Sequence, residues 1–337
     1  MPDVSTIAVL SVVVLLALTF DFINGFHDTA ISIATVVSSH VMTPRQAILM
    51  AAALNFVGAL ISHNVAKTIS SGLIHTTMIP EYVVIATLIA AIAWDLLTWY
   101  YGLPSSSSHA LIGGLVGASI ALSASLDIVQ WGGVVKKVLI PLITSPLIGF
   151  VLGFILMKCL YMALARTSPY LVNRWFSELQ IVSAAFVALT HGSNDAQKSM
   201  GVITLALVSY GAISDFHIPP WVILSCAAAM AAGTAMGGWR IIKTVGTDFV
   251  ELQPVHGFCA ETSASAVILT ATAMGIPIST THVITSAILG VGLSQGKKKV
   301  NWGVGIRIVW AWVLTIPASA AAGYFAFRVL SPFLVKL

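Results

Sequence analysis

Charge is what this chain has least of. Only 8% of its 337 residues are Asp, Glu, Lys or Arg, against 58% hydrophobic, whereas soluble domains carry about 25% charged and about 45–50% apolar residues. So little charge does not cover the surface of a water-soluble globule of this length. The low hydrophobicity and high net charge that mark disorder are missing as well. Cysteine is scarce, and Cys159, Cys226 and Cys259 lie in apolar stretches without paired spacing, which excludes a disulfide framework and a cysteine metal knot. The short alternating strands of an outer-membrane barrel are absent. The first apolar run, residues 4–20, lacks a basic flank and a small-residue cleavage site and leads directly into Asp21 and Asn24; it reads as a retained helix, not a signal peptide.

What the chain does have is long apolar runs, near 4–22, 46–62, 82–101, 110–126, 138–161, 178–191, 199–213, 221–238, 258–275, 283–294 and 303–327. At roughly 20 residues per spanning helix, the fold class is an all-α polytopic membrane protein with about 10–12 transmembrane or re-entrant segments. The net charge of +4 comes from basic residues placed between runs, among them Lys136, Lys137, Arg166, Arg174, Arg240, Lys243, Lys297, Lys298 and Lys299. That placement suits topology and contact with the lipid bilayer, and no nucleic-acid partner is expected. Trp94, Trp99, Trp131, Trp221, Trp302, Trp310 and Trp312 fall near segment ends, as interfacial anchors do. His40, His63, His75, His217 and His256 sit in or near loops and form no metal-ligand spacing.

The most polar connection, residues 162–177, divides the chain into a first repeat over 1–161 and a second over 178–337. Asn24-Gly25-Phe26-His27-Asp28-Thr29-Ala30 aligns with His191-Gly192-Ser193-Asn194-Asp195-Ala196-Gln197, and Pro104-Ser105-Ser106-Ser107-Ser108-His109 aligns with Pro277-Ile278-Ser279-Thr280-Thr281-His282. Two motifs recurring in one order at nearly one offset indicate duplication. Duplicated halves with polar, Gly-interrupted apolar segments point to the binding site of a secondary transporter. Broken helices are predicted over 20–32 and 190–201, and Pro-Ser/Thr hairpins over 102–109 and 275–282.

Asp28 and Asp195 each lie inside an apolar stretch, where a carboxylate costs at least about 2.5–3.5 kcal/mol and needs a partner or a function. They are read either as a structural pair or helix cap, or as cation or proton sites at two related helix breaks; the duplication favours the second. Asn24, His27 and Lys198 belong to the same candidate coupling group. The proline of each hairpin motif interrupts a helix, and the hydroxyls that follow precede a new helix N-terminus, where free amides and the positive dipole end hold anions. Ser105, Ser106, Ser107, Ser108, Ser279, Thr280 and Thr281, with Asn194, are the candidate anion-binding residues; the bland reading is a serine-rich turn. Acids beside an anion cradle require a cation between them, which implies symport with protons, with sodium, or of the anion as a metal complex. No resident cofactor is expected and no metal ligand set is identifiable. Lys198, Glu261 and Asp95 are expected to be structurally paired, and His109 and His282 to be packed or titrating. A Ser/His intramembrane hydrolase is the remote alternative, and a hydroxyl–histidine pair duplicated in both halves suits a symmetric carrier better than one asymmetric catalytic centre.

These motifs resemble the inorganic phosphate transporter (PiT) family of secondary carriers. Its signature, approximately Gly-Ala-Asn-Asp-Val-Ala-Asn-Ala, is similar to residues 25–32 and 192–199, and its Gly-x-Pro-x-Ser-x-Thr-His motif is similar to residues 102–109 and 275–282. The wording around His27-Asp28 and Asn194-Asp195 looks like the bacterial low-affinity branch. The resemblance implies a cation-coupled importer of inorganic phosphate, not an enzyme. It also implies inverted-topology repeats, re-entrant hairpins, a homodimer and a bacterial plasma (inner) membrane location, with sulfate or sodium-coupled phosphate as the alternatives within the family. Where the signature carries amides, this chain has His27, Ile31 and Lys198. Isoleucine does not ligate sodium and an ammonium repels it, so proton coupling is expected, with phosphate carried as the anion or as a neutral divalent-metal complex. Asp28, beside His27, is then the expected proton acceptor.

Overall fold

The computed structural model describes residues 4–69 and 80–334; His75 lies outside the described residues. Helix α1 (Val4–His27) is followed, across Asp28, by α2 (Thr29–Ser38), α3 (Pro44–Ala59) and the short α4 (Asn64–Ile69). Helix α5 (Glu81–Tyr100) turns into α6 (Ser107–Ser123), and α7 (Trp131–Val134) continues through a π-turn into α8 (Ile140–Ala163). Then come α9 (Pro169–Ser209), α10 (Pro220–Met236), α11 (Trp239–Lys243), α12 (Pro254–Ala273), α13 (Thr280–Gln295) and α14 (Trp302–Leu334). Eleven of these helices have ten residues or more, and the described residues contain no β-strand.

Four helical stretches, Ile7–Ser38, Glu81–Tyr100, Trp131–Ala163 and Trp302–Pro332, are long and apolar enough to cross a bilayer. Pro220–Met236 and Trp239–Phe249 pass together with a 62° bend between them. Helix α9 is too polar to qualify, and burial explains why it is tolerated: residues 190–204 are buried throughout, so its polar side chains meet protein, not lipid.

The element order repeats as the sequence does. The hairpin α5–α6 in the first half corresponds to α12–α13 in the second, and the stretch from Trp131 through α8 corresponds to α14 from Trp302. The two halves exchange their last long helices, with α14 packing on α5 and α6 while α8 packs on α12 and α13. At the centre α1 lies against α10 and α3 against α9. The α1–α10 crossing depends on Gly25 and Gly233, where a Cβ would meet the backbone of Met230 and of Phe22; small residues allow such approach between membrane helices. Two apolar clusters form the core. One joins α1, α5, α6 and α10, the other α2, α8, α12 and α13, and the polar residues collect between them.

Three expectations need correction. The central connection is shorter than 162–177, because Ser168 caps α9 by accepting from the Leu171 amide and Pro169 starts it; residues 169–177 are helical. No break occurs over 190–201, and the runs 178–191 and 199–213 are one helix, α9. Its polar side chains bond to one another and to neighbouring helices, which leaves the backbone ladder intact. The break over 20–32 is confined to Asp28, whose φ of −84° and ψ of −35° remain right-handed helical.

Candidate functional site

The two hairpin tips are built alike. Gly102 (φ +64°) and Gly275 (φ +67°) turn the chain at the ends of α5 and α12, a conformation that costs little only for glycine. Each chain then runs extended to a serine that caps the next helix: Ser106 Oγ accepts from the His109 amide at 3.3 Å, and Ser279 Oγ accepts from the His282 amide at 3.2 Å. The tips meet. Ser108 Oγ donates to the Ile278 carbonyl at 3.1 Å, the His109 and His282 rings are 5.2 Å apart, and His282 stacks on Trp312 at 4.1 Å. Two helix N-termini, with Ser107, Thr280 and Thr281 in their first turns and all three buried, thus converge in a space that favours negative charge.

Beside them, α1 and α9 form a seam of polar rungs. Asp28 on one side and His191 and Asp195 on the other bring one ligand atom each within 4.8 Å of one another, all buried. One turn along, Asn24 Nδ2 donates to Asp195 Oδ2 at 3.4 Å. At the next turn, Ser199 Oγ donates to Asp21 Oδ1 at 2.6 Å. The spacing 21, 24, 28 on one helix and 199, 195, 191 on the other keeps all three rungs on the facing stripes.

Both motif acids already have a basic neighbour. Asp28 Oδ1 is 2.7 Å from His27 Nδ1, and Asp195 Oδ1 is 2.7 Å from Lys198 Nζ. Lys198 is fully buried, so its ammonium is held by this pairing. His191 Nε2 lies 3.5 Å from Asp195 Oδ2. An oxygen–nitrogen–oxygen donor set such as Asp28, His191 and Asp195 suits a cation, although one Asp195 oxygen is already committed to the ammonium.

The seam and the hairpins touch. Thr280 Oγ1 donates to Asp195 Oδ2 at 3.3 Å. His27 Nε2 is 3.0 Å from Thr98 Oγ1 and 3.5 Å from Ser105 Oγ, and Thr98 and Ser105 are 2.8 Å apart. Asn194 Nδ2 donates to Thr272 Oγ1 at 2.8 Å, which ties α9 to α12. The candidate residues from four separate stretches of sequence therefore form one buried polar centre.

Sequence reasoning did not pick out His191, Thr98, Asn55 or Thr234. Asn55 Nδ2 donates to Thr29 and to Thr234, and Asn55 Oδ1 is 3.1 Å from His191 Nδ1, so this network orients the histidine. His191 had a usable signal, since it stands four residues before Asp195 on one helix face; Thr98 and Thr234 are single hydroxyls in apolar runs and had none. Glu261, expected to be paired with a charge, is held instead by Thr35 at 2.5 Å, Gln180 at 3.2 Å and Ser183. Neutral donors suffice for a buried carboxyl that is not itself charged against a base.

A model of the "Phosphate transporter family" matches residues 24–323. The chain is 48% identical to a "Probable low-affinity inorganic phosphate transporter" of Bacillus subtilis (strain 168), over 95% of this chain and 96% of that one. It is 47% identical to a protein of the same description from Rhizobium meliloti (strain 1021), over 92% and 94%. Among solved structures it is similar to "The sodium-dependent phosphate transporter", with a TM-score of 0.88 and 24% identity over 97% of this chain and all of that one; at that identity the likeness is one of fold.

Proposed function

The chain belongs to the phosphate transporter family, a multi-pass membrane carrier and not an enzyme, and from that premise we propose that it imports inorganic phosphate by symport with protons. The observation that carries the reading is the contact between an anion-holding pair of hairpin tips and a cationised acid pair: Thr280 bonds Asp195, which is itself bound by Lys198. Phosphate oxygens are received by the first turns of α6 and α13, through their free amides and the hydroxyls of Ser105, Ser106, Ser107, Ser108, Ser279, Thr280 and Thr281, with Asn194 alongside. None of these is an arginine, so binding does not rest on a guanidinium clamp, which suits a carrier that must also release.

Coupling follows from charge. In a low dielectric, a phosphate anion next to Asp28 and Asp195 is tolerated only with compensating positive charge. Lys198 supplies one fixed charge at the position a sodium ligand would need, and His27 supplies a second, titratable one beside Asp28. Protons, not sodium, are then the exchangeable cations. In this reading the protein works in the bacterial plasma membrane as a homodimer, its two halves alternating access to the shared centre. A second reading has its own support: the donor set of Asp28, His191 and Asp195 suits a divalent ion travelling with phosphate as a neutral complex.

Proteoliposome uptake tests both. Uptake is expected to follow an imposed inward proton gradient, to collapse with a protonophore, and to be indifferent to replacing sodium with choline. Strict sodium dependence without response to the pH gradient would overturn proton coupling. Loss of uptake on chelating magnesium and calcium, with recovery on their return, would favour the metal complex over the free anion.

A further inference from the structure

We propose that Asp21 is the carboxyl that stores the coupled proton, one helical turn beyond the polar centre. The proposal rests on the proton-symport reading above and names a residue for it.

Asp21 is fully buried on α1 and occupies the last polar rung of the α1–α9 seam. Its partners are neutral: the Ser199 hydroxyl donates at 2.6 Å, and the Cys226 thiol on α10 faces it. The charged groups around it are Lys198 and Asp195 on α9, and these two are paired to each other at 2.7 Å. Helix α5, which also packs on α1, carries Asp95, which faces His27 and Asp28. Among the described residues, Asp21 is thus a seam carboxyl without a basic partner, whereas Asp28 and Asp195 each have one. A buried carboxyl without a cation is tolerated in its neutral, protonated form, and hydroxyl and thiol neighbours accommodate either protonation state by rotating.

The seam gives Asp21 access in one direction only. Toward the centre lie the Asn24–Asp195 rung and then Asp28 and His191. In the other direction the next residues on the same stripes are Ala17 and Ile203, both fully buried in an apolar cluster with Cys226 and Met230. A proton on Asp21 is therefore sealed from one end and exchanges through the centre that holds the anion. In the cycle, hydronium admitted on the side of high proton activity breaks one O–H bond to protonate an Asp21 carboxylate oxygen and leaves as water. The O–H bond formed on Asp21 breaks to water on the other side after the centre reopens. Because the route runs past the anion site, the proton moves only with the occupied carrier.

The test uses the full-length protein in proteoliposomes and separates net uptake from phosphate–phosphate exchange across the membrane. Asparagine mimics the protonated carboxyl but has no proton to release. Asp21→Asn is expected to lose uptake driven by the proton gradient while exchange persists, and Asp21→Glu to restore driven uptake. Gradient-driven uptake in Asp21→Asn equal to that of the unmodified protein would overturn the proposal, as would loss of coupling in Asp95→Asn with coupling intact in Asp21→Asn. If Asp21→Asn does not fold, the double variant Ser199→Ala, Cys226→Ala carries the test: driven uptake falling relative to exchange supports the role, and an unchanged ratio overturns it. An unmodified protein that ignores the pH gradient would instead sink the proton-symport reading itself, and that result is read before any variant is made.

Discussion

In the two hairpins, Ser106 and Ser279 cap their helices over 3.3 and 3.2 Å, and Gly102 and Gly275 turn the chain at φ +64° and +67°. The two acid motifs differ by contrast. Asp28 interrupts a helix and pairs with a neighbouring histidine, while Asp195 sits in an unbroken helix and pairs with a lysine one turn on. The hairpin tips have stayed symmetric and the acid motifs have not. Recognition by backbone amides and hydroxyls works equally well from either side of an anion. The two acids are held differently, Asp195 by a lysine and Asp28 by a histidine, so the two pairings are not interchangeable.

The comparison breaks most severely at the acids. Asp28→Asn and Asp195→Asn are each expected to abolish phosphate uptake in protein that still inserts into the membrane; wild-type rates in either would remove it from the coupling centre. Next in size is the lysine. Lys198→Met leaves Asp195 buried beside an apolar chain, and removing one partner of a buried pair costs about 3–5 kcal/mol. A markedly lowered melting temperature in detergent is expected, with recovery of stability but not of uptake in Lys198→Met, Asp195→Asn. Failure of the second change to restore stability would show that the pair is not what holds Lys198 in place.

The hairpins supply the smaller effects, and here the expectation is equality. Ser106→Ala and Ser279→Ala each remove a helix cap, a loss of roughly 0.5–2 kcal/mol, and should weaken phosphate binding to a similar extent in the two halves. Unequal affinities by calorimetry would mean that one tip carries the anion alone. Smallest is Gly102→Ala compared with Gly275→Ala, each forcing a side chain into left-handed backbone at roughly 1–2 kcal/mol. Matched shifts in melting temperature would confirm that the turns are equivalent, and unmatched shifts would separate them.

Much of this was legible in the residues. Long apolar runs without strand alternation announced the helices, since a helix satisfies its own backbone in lipid, and the recurrence of the Pro-Ser motifs announced both hairpins with their caps. The predicted break in the second acid motif was wrong for a physical reason. His191, Ser193, Asn194, Asp195, Gln197 and Lys198 look like a polar interruption in one dimension, but Gln197 accepts from the Val65 amide of α4, Asn194 reaches α12 and Lys198 closes on Asp195. Polar side chains with partners on neighbouring helices do not need to break their own.

Sequence alone therefore determined the membrane helices, the duplicated hairpins and the chemical types at the centre, because spacing along a chain fixes helix faces, caps and turns. Only tertiary structure decided which faces meet. It set α1 against α9, so that Asp28, His191 and Asp195 gather within 4.8 Å, and it left Asp21 opposite Ser199 without a base. It also wrapped each half's last helix around the other's hairpin. Those pairings join residues far apart in the chain, Asp21 and Ser199 by 178 positions, and no local periodicity carries information across such distances.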